Sequence, residues 1–408
     1  MTPTPSTSAD VLLARQPIFD RKLEVYAYEL LFRSSEVNRA EFLNGDRASC
    51  EVLLNAYTGL SLETLTRPFP AFVNLTRNLL VAARTPPFPP DQVVIEILED
   101  VVVDDKLVQV VSEAASQGYR FALDDFVLQE QYRPLMPHIH YVKLDVMAHT
   151  PESLAAHVHE LKAHPVKLIA EKIETHEDYK RCLALGFDLF QGYFLCKPRI
   201  VKGQKIQSAS HVILRLLQEL QDPNTTSARI ESLLAQDSAL SYKLLRIINS
   251  AAYSLPRKVE SLRQAVSLLG LNQIRSWAAI IALSGKTDKP RELAQTLLIR
   301  ARFCELMAQA QQLDNPGSYF MTGLLSGLDA LLDTEMAPML AQLPLSEEIT
   351  VAILGHQGVM GAILDAALAL ETGDWESLAT HGLPEDLLQR CYVQSLVWAR
   401  DLMDTLAA

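Results

Sequence analysis

The sequence predicts a multi-domain protein with an N-terminal closed α/β barrel and a C-terminal all-α domain. The chain has 408 residues, 49% of them hydrophobic, which is more than one core usually serves. Eight short β-rich stretches occur between residues 11 and 195, and helical patterns separate most of them. From Ser208 onward only helical spacing recurs, so the change in pattern marks a second domain.

The first two predicted strands form a hairpin, in which a tight turn at Asp20–Lys22 joins Val11–Phe19 to Leu23–Phe32. Each later strand is followed by a helical or turn-like segment, which is typical of a mostly parallel sheet. Eight such strands in so short a stretch indicate a barrel like a TIM barrel. The later strands are Ala71–Leu75, Val93–Leu98, Arg120–Phe126, Tyr141–Val146, Lys167–Ile173 and Leu189–Leu195, and the helices include Ala48–Leu62, Lys106–Gln117, Ser153–Ala163 and His176–Leu185.

Polar residues lie at the C-terminal ends of these strands, where an α/β barrel places its active site. Converging carboxylates repel one another unless hard cations such as Mg²⁺ or Mn²⁺ neutralise them, and a ligand set of oxygens favours these metals over zinc. Two such ions could clamp a phosphodiester, although an Asp-Asp pair is also a common helix N-cap. The strand-end residues are Gln16, Glu29 with Arg33, Asn74, Glu96 with Glu99, Asp124–Asp125, Lys143 with Asp145, Glu171 with Glu174, and Gln191.

These residues fall in motifs that resemble the EAL family of cyclic di-GMP phosphodiesterases over about residues 11–200. The E-A-L-x-R signature reads Glu29-Leu30-Leu31-Phe32-Arg33, and the preceding Q-P-I reads Gln16-Pro17-Ile18. The remaining motifs follow in the family's order: Phe72-Val73-Asn74-Leu75, Glu96-Ile97-Leu98-Glu99, Leu123-Asp124-Asp125-Phe126, Val142-Lys143-Leu144-Asp145, Ala170-Glu171-Lys172-Ile173-Glu174-Thr175 and Gln191-Gly192-Tyr193-Phe194.

The resemblance implies a role for each of these side chains. Glu171 would be the general base and Lys143 would lie beside the attacking water. Arg33 suits a phosphate because its guanidinium presents a planar fork of donors. The implied metal ligands, for one or two Mg²⁺ or Mn²⁺ ions, are Glu29, Asn74, Glu96, Asp124 and Asp125, and the implied nucleotide contacts are Gln16, Arg33 and Gln191.

One loop departs from the family pattern. Active members follow Asp-Asp-Phe with the glycine- and serine-rich sequence G-T-G-Y-S-S-L, whereas this chain has Val127-Leu128-Gln129-Glu130-Gln131-Tyr132-Arg133-Pro134-Leu135. Glycine permits backbone conformations that these residues resist, so the loop must follow another path. In the family this loop is associated with metal binding, ligand binding and dimer contacts, and Glu99 would be its anchor. The altered loop argues against catalysis, and the retained ligands argue for it.

The second half resembles HDOD domains. Residues 237–251, from Asp237 to Ala251, follow the D-P-x-L-x-x-K-L-L-R-x-x-N-S-A signature, with Ser238 in place of the proline. The related HD phosphohydrolases bind metal through a His-Asp pair, where this chain has Ser326-Gly327, so we expect no catalysis and no tightly bound metal here. The predicted helices are Ala228–Ala235, Leu240–Ala252, Leu262–Leu268, Gln273–Ser284, Glu292–Gln311 and several beyond Gly317.

Amino-acid composition limits the classes of binding partner and the cellular compartment that we expect for this protein. A formal net charge of -12 opposes binding to a nucleic acid duplex. Five scattered cysteines without a C-x-x-C pair indicate a reducing compartment and no structural zinc. The N-terminal stretch lacks the pattern of a signal peptide, and the apolar runs are shorter than the roughly 18 residues of a membrane span. We therefore expect a cytoplasmic protein that binds neither membrane nor nucleic acid directly.

The predicted organisation is a disordered tail at 1–10, an EAL-type barrel at 11–200, a linker at 201–208 and an HDOD domain at 209–408. This combination resembles the YuxH-like group of regulatory proteins. Two functions stay open: the barrel binds cyclic di-GMP with weak or no hydrolysis and signals through a protein partner of the HDOD domain, or it is an active phosphodiesterase that produces pGpG. The motifs disfavour an unrelated metabolic barrel enzyme, and the loop's association with dimer contacts leaves a homodimer open.

Overall fold

The computed structural model describes residues 11–34, 62–66, 68–83, 88–98, 101–124, 130–197 and 289–407, with isolated positions between 218 and 274. It divides into two compact units, Met1–Phe194 with Leu370–Trp375 and Leu195–Ala369 with Glu376–Ala408. The predicted tail at 1–10 and linker at 201–208 lie outside the described residues. The domain boundaries therefore stay predictions.

The first unit contains a closed eight-stranded barrel in which each strand pairs with the next and β8 pairs with β1. Strand β1 is antiparallel to both of its neighbours, and every other pair is parallel. This confirms the predicted barrel and its opening hairpin. The strands are β1 Val11–Phe19, β2 Val25–Ser34, β3 Ala71–Asn74, β4 Val93–Ile97, β5 Arg120–Leu123, β6 Tyr141–Asp145, β7 Lys167–Glu171 and β8 Leu189–Gln191.

Helices follow the parallel strands and are fixed by side-chain caps. Thr175 and Asp178 form a reciprocal capping box, and Asp104 accepts a hydrogen bond from the backbone N–H of Leu107, so orphan donors at two helix starts are satisfied. The described helices of this unit are α1 Leu62–Thr66, α2 Arg77–Ala83, α3 Asp105–Ser116, α4 Pro151–Leu161 and α5 His176–Leu185. Nearly all of the predicted helix Ala48–Leu62 lies outside the described residues.

Three predicted strands extend at least two residues too far, and the excess in each case belongs to the turn that follows the strand. Strand β5 ends at Leu123 and not at Phe126. Strand β7 ends at Glu171 because Lys172 adopts a left-handed φ of 54°. Strand β8 ends at Gln191 because Gly192 has a φ of 149° and a Cβ there would lie 2.2 Å from the Ile173 carbonyl oxygen. An apolar or aromatic residue recurs within three positions of each end, which explains the overestimate.

The regular elements of the second unit are all helices within its described residues, as predicted. The predicted helix Glu292–Gln311 is observed at Arg291–Ala310, while the four predicted helices before it fall almost entirely outside the described residues. The described helices are α6 Arg291–Ala310, α7 Pro316–Leu325, α8 Leu328–Leu332, α9 Met336–Leu340, α10 Glu347–Gly355, α11 Gly358–Thr372, α12 Trp375–Thr380 and α13 Glu385–Ala407.

One stretch of the described chain, Glu347–Thr372, has the length and hydropathy of a membrane span. It consists of two helices, α10 and α11, and His356 between them adopts a left-handed φ of 53°. Of the 18-residue window that meets these criteria, 44% is buried inside the protein. Core helices of water-soluble proteins meet the same criteria, so this stretch is weak evidence for a membrane contact.

Candidate active site

The predicted site side chains converge at the C-terminal end of the barrel. Each lies in a strand or, in the case of Asp124, directly after one, and the strand register brings neighbours together, with Asn74 opposite Glu96 and Gln16 opposite Glu29. Barrel geometry therefore gathers residues that lie far apart in the sequence. The side chains at this end are Gln16, Glu29, Asn74, Glu96, Asp124, Lys143, Glu171 and Gln191.

Lys143 is the centre of the cluster. Its side chain is buried on β6, and its ammonium group contacts four carboxylates. A buried ammonium is stable only when such partners replace its lost hydration. The distances from its Nζ are 3.1 Å to Glu29, 2.8 Å to Glu96, 2.9 Å to Asp124 and 2.8 Å to Glu171.

Glu29 is held by further hydrogen bonds. Its Oε1 accepts from Asn74 Nδ2 at 3.3 Å, and its Oε2 accepts from Gln191 Nε2 at 2.7 Å. Gln191 Nε2 also donates to Gln16 Oε1 at 3.0 Å. These amides fix the carboxylate in one orientation without neutralising it, which suits a residue that binds a cation.

The cluster carries more negative than positive charge, because four carboxylates surround one ammonium. Burial and the neighbouring Glu29 raise the pKa of Glu96 well above its usual value. Burial also raises the pKa of Glu171 to about 8, although Lys143 opposes this shift. Burial alone would lower the pKa of Lys143, but the four carboxylates outweigh it and the pKa is raised. At neutral pH the cluster therefore holds protons that a bound cation would displace.

The donor atoms fit a hard divalent cation. One oxygen each from Glu29, Glu96 and Asp124 lie within 4.8 Å of one another. Asn74 Oδ1 and Glu96 Oε2 are buried and have no hydrogen-bond partner in the described structure. Buried oxygens without donors are costly unless a cation or water satisfies them. Mg²⁺ or Mn²⁺ would supply the missing charge here.

Some predicted residues cannot be placed. Asp125 and Glu99 lie outside the described residues, and Arg33 is described only as a backbone position of β2 opposite Leu12. Asp145 lies at a predicted strand end but caps the following turn, since it accepts from the Met147 N–H at 2.8 Å. The contact of Lys143 with all four carboxylates was not predicted; its only sequence signal is a lysine inside the apolar strand β6.

The raised carboxylate pKa values predict a pH-dependent affinity for metal. Glu96 must lose its proton before it binds a cation, so the apparent affinity for Mn²⁺ should rise with pH, by at most about tenfold per pH unit for this one proton. Calorimetric titrations at pH 7 in two buffers of different ionisation enthalpy measure the protons released. Equal binding enthalpies in both buffers would show that no proton leaves and would contradict the prediction.

In the helical unit, protein atoms fill the region around Ser326-Gly327. The buried Arg300 donates from Nη1 to Ser326 Oγ at 2.7 Å. A Cβ at Gly327 would lie 2.4 Å from Leu297 Cδ2, which leaves no room for an aspartate without movement of Leu297. Among the described residues, acidic, His and Cys side chains gather closely enough for a metal only in the barrel. The absence of a metal from this unit stays a prediction.

Comparisons with known proteins match both halves. The EAL domain family matches residues 53–198, and the HDOD domain family matches residues 206–354. The chain is 35% identical to YuxH of Bacillus subtilis over 97% of its own length and 99% of that protein. It is 34% identical to the cyclic di-GMP phosphodiesterase CdgJ of Vibrio cholerae over 98% of its own length and 95% of CdgJ.

Solved structures match the barrel region. BlrP1 of Klebsiella pneumoniae, in a complex with calcium and cyclic di-GMP, is 24% identical over 47% of this chain and 57% of its own, with a TM-score of 0.38. The EAL domain of FimX from Pseudomonas aeruginosa, bound to cyclic di-GMP, is 23% identical over 46% of this chain and 89% of its own, with a TM-score of 0.36. With relatives that extend over nearly its whole length, the chain belongs to the family of signalling proteins that join an EAL domain to an HDOD domain.

Proposed function

We propose that the barrel binds cyclic di-GMP together with Mg²⁺ or Mn²⁺. The observation that carries this proposal is the excess of carboxylates at the barrel mouth, with buried oxygens that lack donors. Glu29, Asn74, Glu96 and Asp124 would hold the cation, with Asp125 as a further ligand by resemblance. The cation would bind and polarise a phosphodiester oxygen. Gln16, Arg33 and Gln191 would contact the nucleotide.

We also propose that hydrolysis is slow or absent, because the loop at 127–135 is altered. The described part of this loop begins with a short 3₁₀ helix, Glu130–Tyr132. Tyr132 and Leu135 are both buried, so packing holds this segment where the family has a glycine-rich loop. Chemistry on a phosphodiester requires reacting groups placed to within about half an ångström, and a poorly supported site binds without rapid turnover.

A second candidate is an active phosphodiesterase that releases pGpG. Two observations favour it: Glu171 and Lys143 stand 2.8 Å apart beside the metal-ligand candidates, and the relative from Vibrio cholerae is named a cyclic di-GMP phosphodiesterase. In this reading Glu171 accepts a proton from the attacking water and Lys143 holds that carboxylate in place.

The helical unit would pass the state of the barrel to a protein partner. At Ser326-Gly327 the side chains of Arg300 and Leu297 contact the positions where the related hydrolases have their metal-binding His-Asp pair. This supports a role in protein interaction. A cytoplasmic location fits the cysteines, since Cys182, Cys196, Cys304 and Cys391 form no disulfide within the part of the chain that the structure describes.

Equilibrium binding tests the proposal. Cyclic di-GMP titrated into the full chain should bind when Mn²⁺ or Mg²⁺ is present. Its affinity should fall at least about tenfold in excess EDTA, because the cation would bridge phosphate and protein. GMP serves as the control nucleotide and should bind more weakly. Equal affinity with and without the cation would contradict metal-dependent binding, and no binding in either condition would reject the proposal.

A further inference from the structure

A second group of polar side chains closes the opposite end of the barrel. We call Tyr26, Arg120, Tyr141 and Lys167 the floor cluster. Arg120, Tyr141 and Lys167 are the first residues of β5, β6 and β7, and Tyr26 is the second residue of β2. They therefore lie at the N-terminal ends of the strands, away from the carboxylates at the mouth. Tyr141 belongs to the buried barrel core, and Tyr26 packs against it.

The floor cluster forms one continuous chain of contacts. The hydroxyls of Tyr26 and Tyr141 lie 2.8 Å apart. Lys167 Nζ donates to the Tyr26 hydroxyl at 3.3 Å and also lies 4.8 Å from the centre of that ring. Arg120 Nη1 donates to the Tyr141 hydroxyl at 3.5 Å, and its Nη2 donates to the Asp91 carbonyl at 3.1 Å. A cation thus stands at each end of the tyrosine pair.

The donors of this cluster outnumber its acceptors. Two phenols carry two protons, and the bond between their oxygens uses only one of them. Lys167 and Arg120 can only donate. Burial raises the pKa of Tyr141 to about 12, so this phenol keeps its proton at neutral pH. Within the described ranges one phenolic proton therefore has no protein acceptor, and neither cation is paired with a carboxylate.

Two histidines lie beside the two cations of the cluster. His138 and His140 lie in the segment just before β6. Partial burial lowers the pKa of His140, and the charges of Arg120 and His138 lower it further. Asp188 lies at the same end of the barrel, where its Oδ2 accepts from the Leu168 N–H at 3.0 Å, and within the described ranges it forms no ion pair with Lys167 or Arg120.

We propose that the floor cluster binds a phosphate-type oxyanion. Such an ion consists of acceptor oxygens, so it can accept from the Lys167 ammonium, an Arg120 N–H and the spare phenolic proton at the same time. It would also bring negative charge to two cations that form no ion pair with a carboxylate in the described structure. The site is separate from the nucleotide site proposed at the barrel mouth, and its ligand is a phosphoryl group, either free or as a monoester.

The test uses the full chain in EDTA, so that no metal at the mouth attracts phosphate. Inorganic phosphate and glycerol phosphate are titrated by calorimetry at constant ionic strength in chloride. The variant Arg120→Gln/Lys167→Gln removes both cations, and Lys106→Gln/Lys180→Gln removes the same charge from two exposed helix positions. If the Arg120/Lys167 double variant fails to fold, Tyr26→Phe replaces it as the test variant, because it loses only a hydroxyl.

We expect phosphate to bind the native chain and the Lys106/Lys180 variant equally. The Arg120/Lys167 variant should bind at least about tenfold more weakly, and Tyr26→Phe should also be weakened, because charge-assisted hydrogen bonds are lost. Binding of glycerol phosphate as well would assign the site to phosphate esters, and binding of phosphate alone would restrict it to the free ion. No binding to the native chain, or an equal loss in both double variants, would overturn the proposal.

Discussion

Glu29→Gln should weaken Mn²⁺ binding to the barrel, and with it cyclic di-GMP binding, by about 100-fold. The substitution keeps the shape of the side chain but removes a carboxylate that lies with Glu96 and Asp124 in the candidate metal site. Lys143 keeps three carboxylate partners, and one source of repulsion is lost. The free energy of unfolding of the metal-free protein should therefore change little, while metal binding loses a charged ligand.

Calorimetric titration of Mn²⁺ and of cyclic di-GMP measures both effects, and thermal unfolding in EDTA checks the fold. Glu113→Gln is the matched control, because Glu113 is an exposed carboxylate on α3, outside the strands that carry the site. The control should leave both affinities unchanged. Unchanged metal and nucleotide affinity in Glu29→Gln would show that Glu29 has only a structural role.

Replacing Val127–Leu135 with the glycine-rich family loop should raise pGpG formation by up to about 100-fold. The residues proposed for hydrolysis lie together in the barrel, since Glu171 and Asp124 both contact Lys143. Misplacement of a site by about 1 Å can cost a factor of this size in rate. The expected gain therefore comes from support of the existing ligands and not from a new one.

Two variants control this experiment. A shorter graft that keeps Tyr132 and Leu135 guards against a loss of packing, because both side chains are buried. The full graft combined with Glu171→Gln should form almost no pGpG, which excludes product from a contaminating enzyme. A grafted protein that binds cyclic di-GMP but forms no more product than the native chain would place the defect elsewhere in the barrel.

The sequence predicts the barrel well because each strand is short, apolar and bounded by a polar residue. The same feature locates the site, since the strand ends of a closed barrel meet at one mouth. Glu29, Asn74 and Glu96 therefore come together although they occupy three strands. Strand length is predicted less well, because an apolar or aromatic residue recurs within three positions after Leu123, Glu171 and Gln191.

Contacts across the barrel interior could not be predicted from the sequence. The register of the strands places Lys143 among four carboxylates, and no local pattern encodes that distance. The contact of Tyr26 with Tyr141 has the same origin, since 115 positions separate them. Asp145 differs from these residues because its contact is local. It lies at a strand end like the site residues, but its carboxylate accepts from the Met147 N–H in the following turn.

The most direct test of the proposed function measures pGpG released by the native chain when its cyclic di-GMP site is shown to be saturated. The protein is incubated with Mn²⁺ and excess cyclic di-GMP, binding is measured by calorimetry, and the products are separated by chromatography. We expect saturable binding with turnover well below the roughly 1 per second at the slow end of typical enzymes. Saturable binding with turnover at or above that rate would contradict slow hydrolysis and establish the chain as an active phosphodiesterase.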